Sequence, residues 1–167
     1  MKTAELQIPC ADTRCEMTFI IMPQHLNALE SVFGGQVMAW IDVCAGVSAQ
    51  RFARGIVVTA SMDQVTFEAP IRKGQVAVLQ SQVNWAGTTS MEVGVRVEAE
   101  DITTGHRTHT STAYLTMVAL DDTFRPRPVP TLVPETPEQR RRYADAEHRR
   151  EVRLALRQRG HTKKERE

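Results

Sequence analysis

Aromatic side chains make up 5% of this 167-residue sequence, and there are only three cysteines. Cys10, Cys15 and Cys44 are odd in number, sit at no metal-ligand spacing and form no CxxC. That argues against a disulfide framework, a zinc site and dithiol redox chemistry. Free thiols suit a reducing compartment, so a cytoplasmic protein is expected, with Cys44 serving as packing. No apolar run approaches the roughly 18 residues that a membrane-spanning helix needs. The opening residues "MKTAELQIPC" lack an apolar core, so no secretory signal is expected. Neither sign of charge dominates. A net charge of +1 gives no bulk electrostatic case for nucleic acid or membrane binding. There is no GxSxG, hence no sign of a serine hydrolase. No metal and no cofactor are expected.

What is present suits one soluble domain and a tail: 41% of residues are apolar and 25% charged. Residues 135–167 hold 11 Lys/Arg against 7 Asp/Glu, a net of +4, which leaves −3 for the rest. Between them "FRPRPVPTLVPETP" reads as an extended linker. The division falls near residue 122. A globular domain is expected over 1–122, and a proline-rich linker with a basic helix over 123–167.

The hydrophobic period changes once in the first part. "EMTFIIM" is a short strand candidate, followed by the loop "PQHLNALESVF". Residues 34–53 carry the one long helical pattern there. "IVVTASMDQVTFEAP" is then β-branched up to Pro70, and "QVAVLQSQVNWA" is the next strand. "SMEVGVRVEAE" alternates, with Met91, Val93, Val95, Val97 and Ala99 on one face and Glu92, Arg96, Glu98 and Glu100 on the other. "RTHTSTAYLTMVAL" is the last strand. Short turns imply antiparallel pairing, and one helix among five strands implies an α+β fold with the sheet packed on that helix. In the tail, Thr136-Pro137-Glu138-Gln139 is a capping box with proline at the first helical position. The helix that follows has too few large apolar residues for a stripe. It reads as a solvated helix laid on the domain or on a partner subunit. Interleaved acids weaken the alternative of a nucleic-acid arm.

Asp42 stands out. From the helix start at Gly34 it shares a face with Gly35, Met38, Ala39, Ala45, Gly46 and Ala49, none of them polar, while Val37, Trp40, Ile41, Cys44 and Val47 form the core stripe. A buried, unpaired carboxylate is costly, so Asp42 is either a functional acid or one satisfied by a backbone or partner group. Gly34 and Gly35 leave bare N–H groups at a positive helix end, suited to an oxyanion or polarised carbonyl; a tight entry turn is the plainer alternative.

"HLNALESVFGGQVMAWIDVCAG", "VVTASMDQVTFEAPIRKGQVAVLQSQV", "GTTSMEVGVRVEAED" and "AYLTMVALDD" together resemble the hotdog-fold acyl-CoA thioesterases. The group most similar is the bacterial acyl-CoA thioester hydrolases, of the subfamily of the cytosolic long-chain enzyme. The resemblance spans roughly residues 12–130 in collinear order. It implies an antiparallel sheet wrapped around one long helix, in homodimers often assembled as trimers of dimers. It implies hydrolysis of fatty acyl-CoA to free fatty acid and CoA. It places the family's catalytic aspartate on Asp42, its asparagine on Asn27 and its polarising N–H on Gly35, with Asn and Asp of one site coming from different subunits.

The chain departs from the family in two places. Related sequences commonly carry glycine where Glu30 stands. The "GRSS" turn that can contact CoA reads Gly87-Thr88-Thr89-Ser90, without its arginine. Gly34, Thr89 and Ser90 are therefore candidate substrate contacts, and Arg54, Arg72 and Lys73 candidate phosphate contacts. A solvated turn is the plainer account of Arg72-Lys73. Asp42 then activates water as a general base or attacks the thioester directly. Asn27, as an amide, can donate or accept. A non-catalytic acyl-CoA-binding hotdog module is the rival. A hotdog dehydratase would want a histidine, and none lies on the central helix.

Overall fold

The computed structural model describes residues 6–164. In chain order the elements are β1 (Gln7–Pro9), β2 (Cys15–Ile20), α1 (Gly34–Ala53), β3 (Val57–Met62), β4 (Gln75–Ala86), β5 (Ser90–Asp101), β6 (Arg107–Ala119), β7 (Thr131–Val133) and α2 (Pro137–Lys164). Five strands form an antiparallel sheet in the order β2-β4-β5-β6-β3, wrapped around α1.

The alternation in β5 does what its pattern predicts. Met91, Val93, Val95, Val97 and Ala99 point inward, against Val37, Trp40, Ile41, Cys44 and Phe52 of α1. Ala113, Leu115, Met117 and Ala119 of β6 continue the same layer. Each large side chain buried here contributes about 1.5–3 kcal/mol. One polar seam crosses the core. Ser81 of β4 donates to the Cys44 carbonyl at 2.8 Å and meets the Ser48 hydroxyl at 2.7 Å, so the hydroxyls are satisfied. Burial pushes the Cys44 thiol up to about 12, against the opposing effect of its hydrogen bond with Ser81. It is a packing residue, not a nucleophile.

The stretch predicted to run β-branched to Pro70 is a strand only as far as Met62. Beyond it the Asp63 and Glu68 amides still donate to Tyr114 and Thr110 of β6. The proline-rich stretch is extended but not free. It contains β7, which pairs in parallel with β1 (Ile8 opposite Leu132). It also sends Arg127 back to α1, where the guanidinium donates to the Ala53 carbonyl at 2.6 Å and caps the helix end.

α2 starts at the expected capping box: Thr136 Oγ1 accepts from the Gln139 amide at 3.2 Å, and Gln139 Oε1 accepts from the Thr136 amide at 3.0 Å. Lacking an apolar stripe, α2 docks on the outer sheet face through arginines. Arg149 holds Glu92 at 2.6 Å and lies over the Tyr114 ring, and Arg153 bridges Glu92 at 3.0 Å and Asp63 at 2.7 Å. Glu92, predicted on the polar face, lies on that face but is only 1% exposed. A groove of about 710 Å³ remains between α2 and the sheet. Of its arginines, Arg96, Arg141, Arg142 and Arg149 are paired with carboxylates, so it is close to charge-balanced. No helix among the described residues is long and apolar enough to cross a membrane.

Candidate active site

Three segments carry the candidate chemistry, and α1 organises them. The loop before the helix folds back on itself through Asn27. Its Oδ1 accepts from the Leu29 amide at 2.9 Å, the Ser31 amide at 3.3 Å and the Ser31 hydroxyl at 3.2 Å. Amides can only donate, so the oxygen faces the loop and the Nδ2 hydrogens face away. Glu30 closes this turn in the left-handed region, with φ 54°. That is a sterically costly place for a side chain, and one that glycine adopts freely.

Phe33 caps α1 without a side-chain hydrogen bond. Its carbonyl takes the Gln36 and Val37 amides, while the Gly34 and Gly35 amides have no backbone acceptor among the described residues. A side chain at Gly35 would collide with the Phe33 ring, and the Phe67 ring flanks Gly34. Both rings are substantially exposed, Phe33 to 61%. Two bare N–H groups thus open between aromatic walls at the positive end of the helix dipole.

Asp42 corrects one expectation. Within one chain it is half-buried, not buried. Its neighbours divide: Ala45 and Ala49 are buried, whereas Met38 and Val43 are 41% and 54% exposed. Ile56 and Val58, on and just before β3, are exposed as well. Asp42 is also not unpaired. Thr59 of β3 donates to its Oδ1 at 2.6 Å. Sequence reasoning missed Thr59. A threonine is ordinary in a strand, and its partner lies 17 residues away with no local signal.

The remaining candidates fall into two groups. Arg72 bridges to Ser31, and the Lys73 amide reaches the Glu30 carbonyl, so both sit beside the Asn27 loop. Thr89 is tied to Ala119 and Thr88 to Val129, at the end of α1 where Arg54 stands as the left-handed C-cap. Helical rise separates Gly35 from Asp42 by about 10 Å and from Arg54 by about 28 Å. One chain therefore brings together Asn27, Gly34, Gly35, Arg72 and Lys73. It does not bring Arg54, Thr89 and Ser90 to them, and no hydrogen bond joins Asn27 to Asp42.

The sequence and fold have established relatives. The Thioesterase superfamily model matches residues 29–106. A Bacillus subtilis protein described as an uncharacterized acyl-CoA thioester hydrolase, YkhA, is 43% identical over 139 residues, covering 83% of this chain and 80% of its own. The chain belongs to the hotdog-fold acyl-CoA thioesterases. A hexameric acyl-CoA thioesterase in its apo form superposes with a TM-score of 0.87 at 40% identity, over 90% of this chain and 96% of the other. The Staphylococcus aureus acyl-CoA hydrolase, solved with butyryl-CoA, CoA and CoA disulfide, superposes at 0.88 with 35% identity, over 96% and 98%. That hydrolase has also been solved with one aspartate, one asparagine and one threonine each changed to alanine. The architecture of this thioesterase is thus the α+β fold that its strand and helix periods predict and the hotdog that the family resemblance implies.

Proposed function

We propose that this chain hydrolyses the thioester of fatty acyl-CoA to free fatty acid and CoA, at a site that two subunits build together. The observation that carries this is the placement of the groups along α1. The bare amides and Asn27 lie at its start, Asp42 lies two turns in, and Thr89, Ser90 and Arg54 lie at its far end. Asp42 shares its stretch of α1 with exposed Met38 and Val43, apolar side chains that a second copy would cover. A two-fold axis that runs the helices antiparallel brings the start of one to the middle of the other. Each site then takes Asn27, Gly34 and Gly35 from one chain, with Arg72 and Lys73 beside them for a phosphate. Asp42, Thr59, Thr89, Ser90 and Arg54 come from the other.

In this arrangement the thioester oxygen accepts from the Gly35 N–H, which stabilises charge as the carbonyl is attacked. Asn27 donates through Nδ2, because its oxygen is spent on the loop. Thr59 holds Oδ1 of Asp42, which leaves Oδ2 for a water. Asp42 takes the water proton, the oxygen bonds to the acyl carbon, the C–S bond breaks, and the thiolate is protonated on release. Direct attack by Oδ2 would use the same geometry, and an ¹⁸O label from water appearing in Asp42 would reveal it. The working unit is a homodimer, and three such dimers assemble into a hexamer; the apo relative is hexameric. The three free cysteines suit the reducing cytoplasm.

Thiol release across acyl-CoAs from acetyl to palmitoyl tests this. Asp42→Ala is expected to stay folded and oligomeric and to turn over at least about 100-fold more slowly. Wild-type turnover in that variant removes Asp42 from the mechanism. Ligand binding without any thiol release favours a non-catalytic acyl-CoA-binding module instead.

A further inference from the structure

Hydrolysis as proposed asks one chain for two donors held in register: Nδ2 of Asn27 and the N–H of Gly35. They lie on a loop and a helix start, and neither bonds to the other. His25 connects the two segments. Its Nδ1 accepts from the Met22 amide at 3.1 Å, and its own amide donates to the Met22 carbonyl at 2.9 Å. Its carbonyl accepts from the Phe33 amide at 2.9 Å, directly before the two glycines. Its ring stands edge-on to Trp40 of α1, with centroids 5.1 Å apart at 87°. Trp40 is 6% exposed and stacks on Phe19 of β2 at 4.7 Å. The imidazole is thus fixed to the end of β2 and to the body of α1, and its backbone to the residue that opens the helix. Asn27 follows two positions later.

We infer that His25 is a positioning residue, which sets the Asn27 loop against the Gly35 end of α1 and so aligns the half-site that each chain contributes. This rests on the proposed hydrolysis. The bond from the Met22 amide also fixes the proton of the neutral ring on Nε2, since an amide cannot accept.

Two variants separate the roles in the full-length chain. His25→Phe keeps a ring against Trp40 and loses the acceptor. His25→Asn loses the ring but places Oδ1 where Nδ1 sits. His25→Phe is expected to lower kcat about 10- to 100-fold with KM within about 3-fold, because misplacing a reacting group by about 1 Å costs up to ~100-fold. His25→Asn is expected to keep most of kcat, because its Oδ1 still accepts from the Met22 amide. Amide hydrogen exchange over residues 26–33 is expected to quicken in His25→Phe and stay near wild type in His25→Asn. Unchanged kcat and exchange in His25→Phe overturn the inference. So does equal loss in both variants with a matching drop in melting temperature, which would mark a merely structural role. A wild-type chain that releases no thiol from any acyl-CoA sinks the proposed hydrolysis separately, and the exchange comparison still decides the role of His25.

Discussion

Two inactive forms of this chain should complement each other. In Asn27→Ala homodimers every site lacks the amide, and in Asp42→Ala homodimers every site lacks the acid. In a mixed dimer one site collects both lesions and the other collects neither. The intact site takes Asn27 and Gly35 from the Asp42→Ala chain and Asp42 from the Asn27→Ala chain. Equal amounts of the two chains, paired at random, give about half heterodimers with one good site of two, hence about one quarter of wild-type activity. Each variant alone should sit near 1% or below, the range for loss of a positioned base. The signal is thus roughly 25-fold above background, far beyond assay noise. The measurement is thiol release from palmitoyl-CoA after co-expression or joint refolding, with column sizing to show that the oligomer has formed. Activity no higher than that of the separate variants, in a mixture shown to contain heterodimers, would falsify the shared site. The roughly 10 Å of helix between Gly35 and Asp42 would then have to be spanned by substrate within one chain.

Three further outcomes concern the scaffold. Arg149→Ala removes the closest contact to the buried Glu92 carboxylate but leaves it paired with Arg153, so unfolding stability should fall by about 1.5–3 kcal/mol in urea melts. A change under about 0.5 kcal/mol would mean that α2 does not dock there. Glu30→Gly relieves a left-handed φ of 54° and should stabilise the fold by up to about 1 kcal/mol, read from the denaturation midpoint. Destabilisation would show that the Glu30 side chain does more than occupy the turn. Cys44 ionises near 12 when folded, against roughly 8.5 when unfolded, so above about pH 9 the unfolded chain gives up its proton first. Its contribution is complete below pH 8 and falls by about 1.4 kcal/mol per pH unit on the alkaline side. Cys44→Ala should flatten that decline between pH 8 and 10 in paired melts, and an identical slope would refute it.

The sequence made some of this structure plain and hid the rest for physical reasons. The helix over 34–53 and the strands β4, β5 and β6 were visible because each buries one face and repeats its period over many residues. β1 and β7 are three residues each, and their partners lie more than a hundred positions apart, so no local pattern announces them. That α2 lies on the domain was one of the two placements expected, but the way it attaches was hidden, because guanidinium pairs and not an apolar stripe join it to Glu92 and Asp63. In the site, Asp42 was conspicuous by its apolar company, and Gly34-Gly35 by the missing cap. The half-exposure of Asp42 was not legible. A helix wheel ranks faces but does not say which of them one chain alone can cover.

The amide of Asn27 has two ends with separate duties. Its oxygen shapes the turn, and its hydrogens look outward. An aspartate there would satisfy the same loop donors and keep the same outline, yet present a negative atom where two positive ones had been. So mild an exchange would leave the architecture standing and turn the entrance hostile to an electron-rich guest. Folding and chemistry here make independent demands on a single side chain.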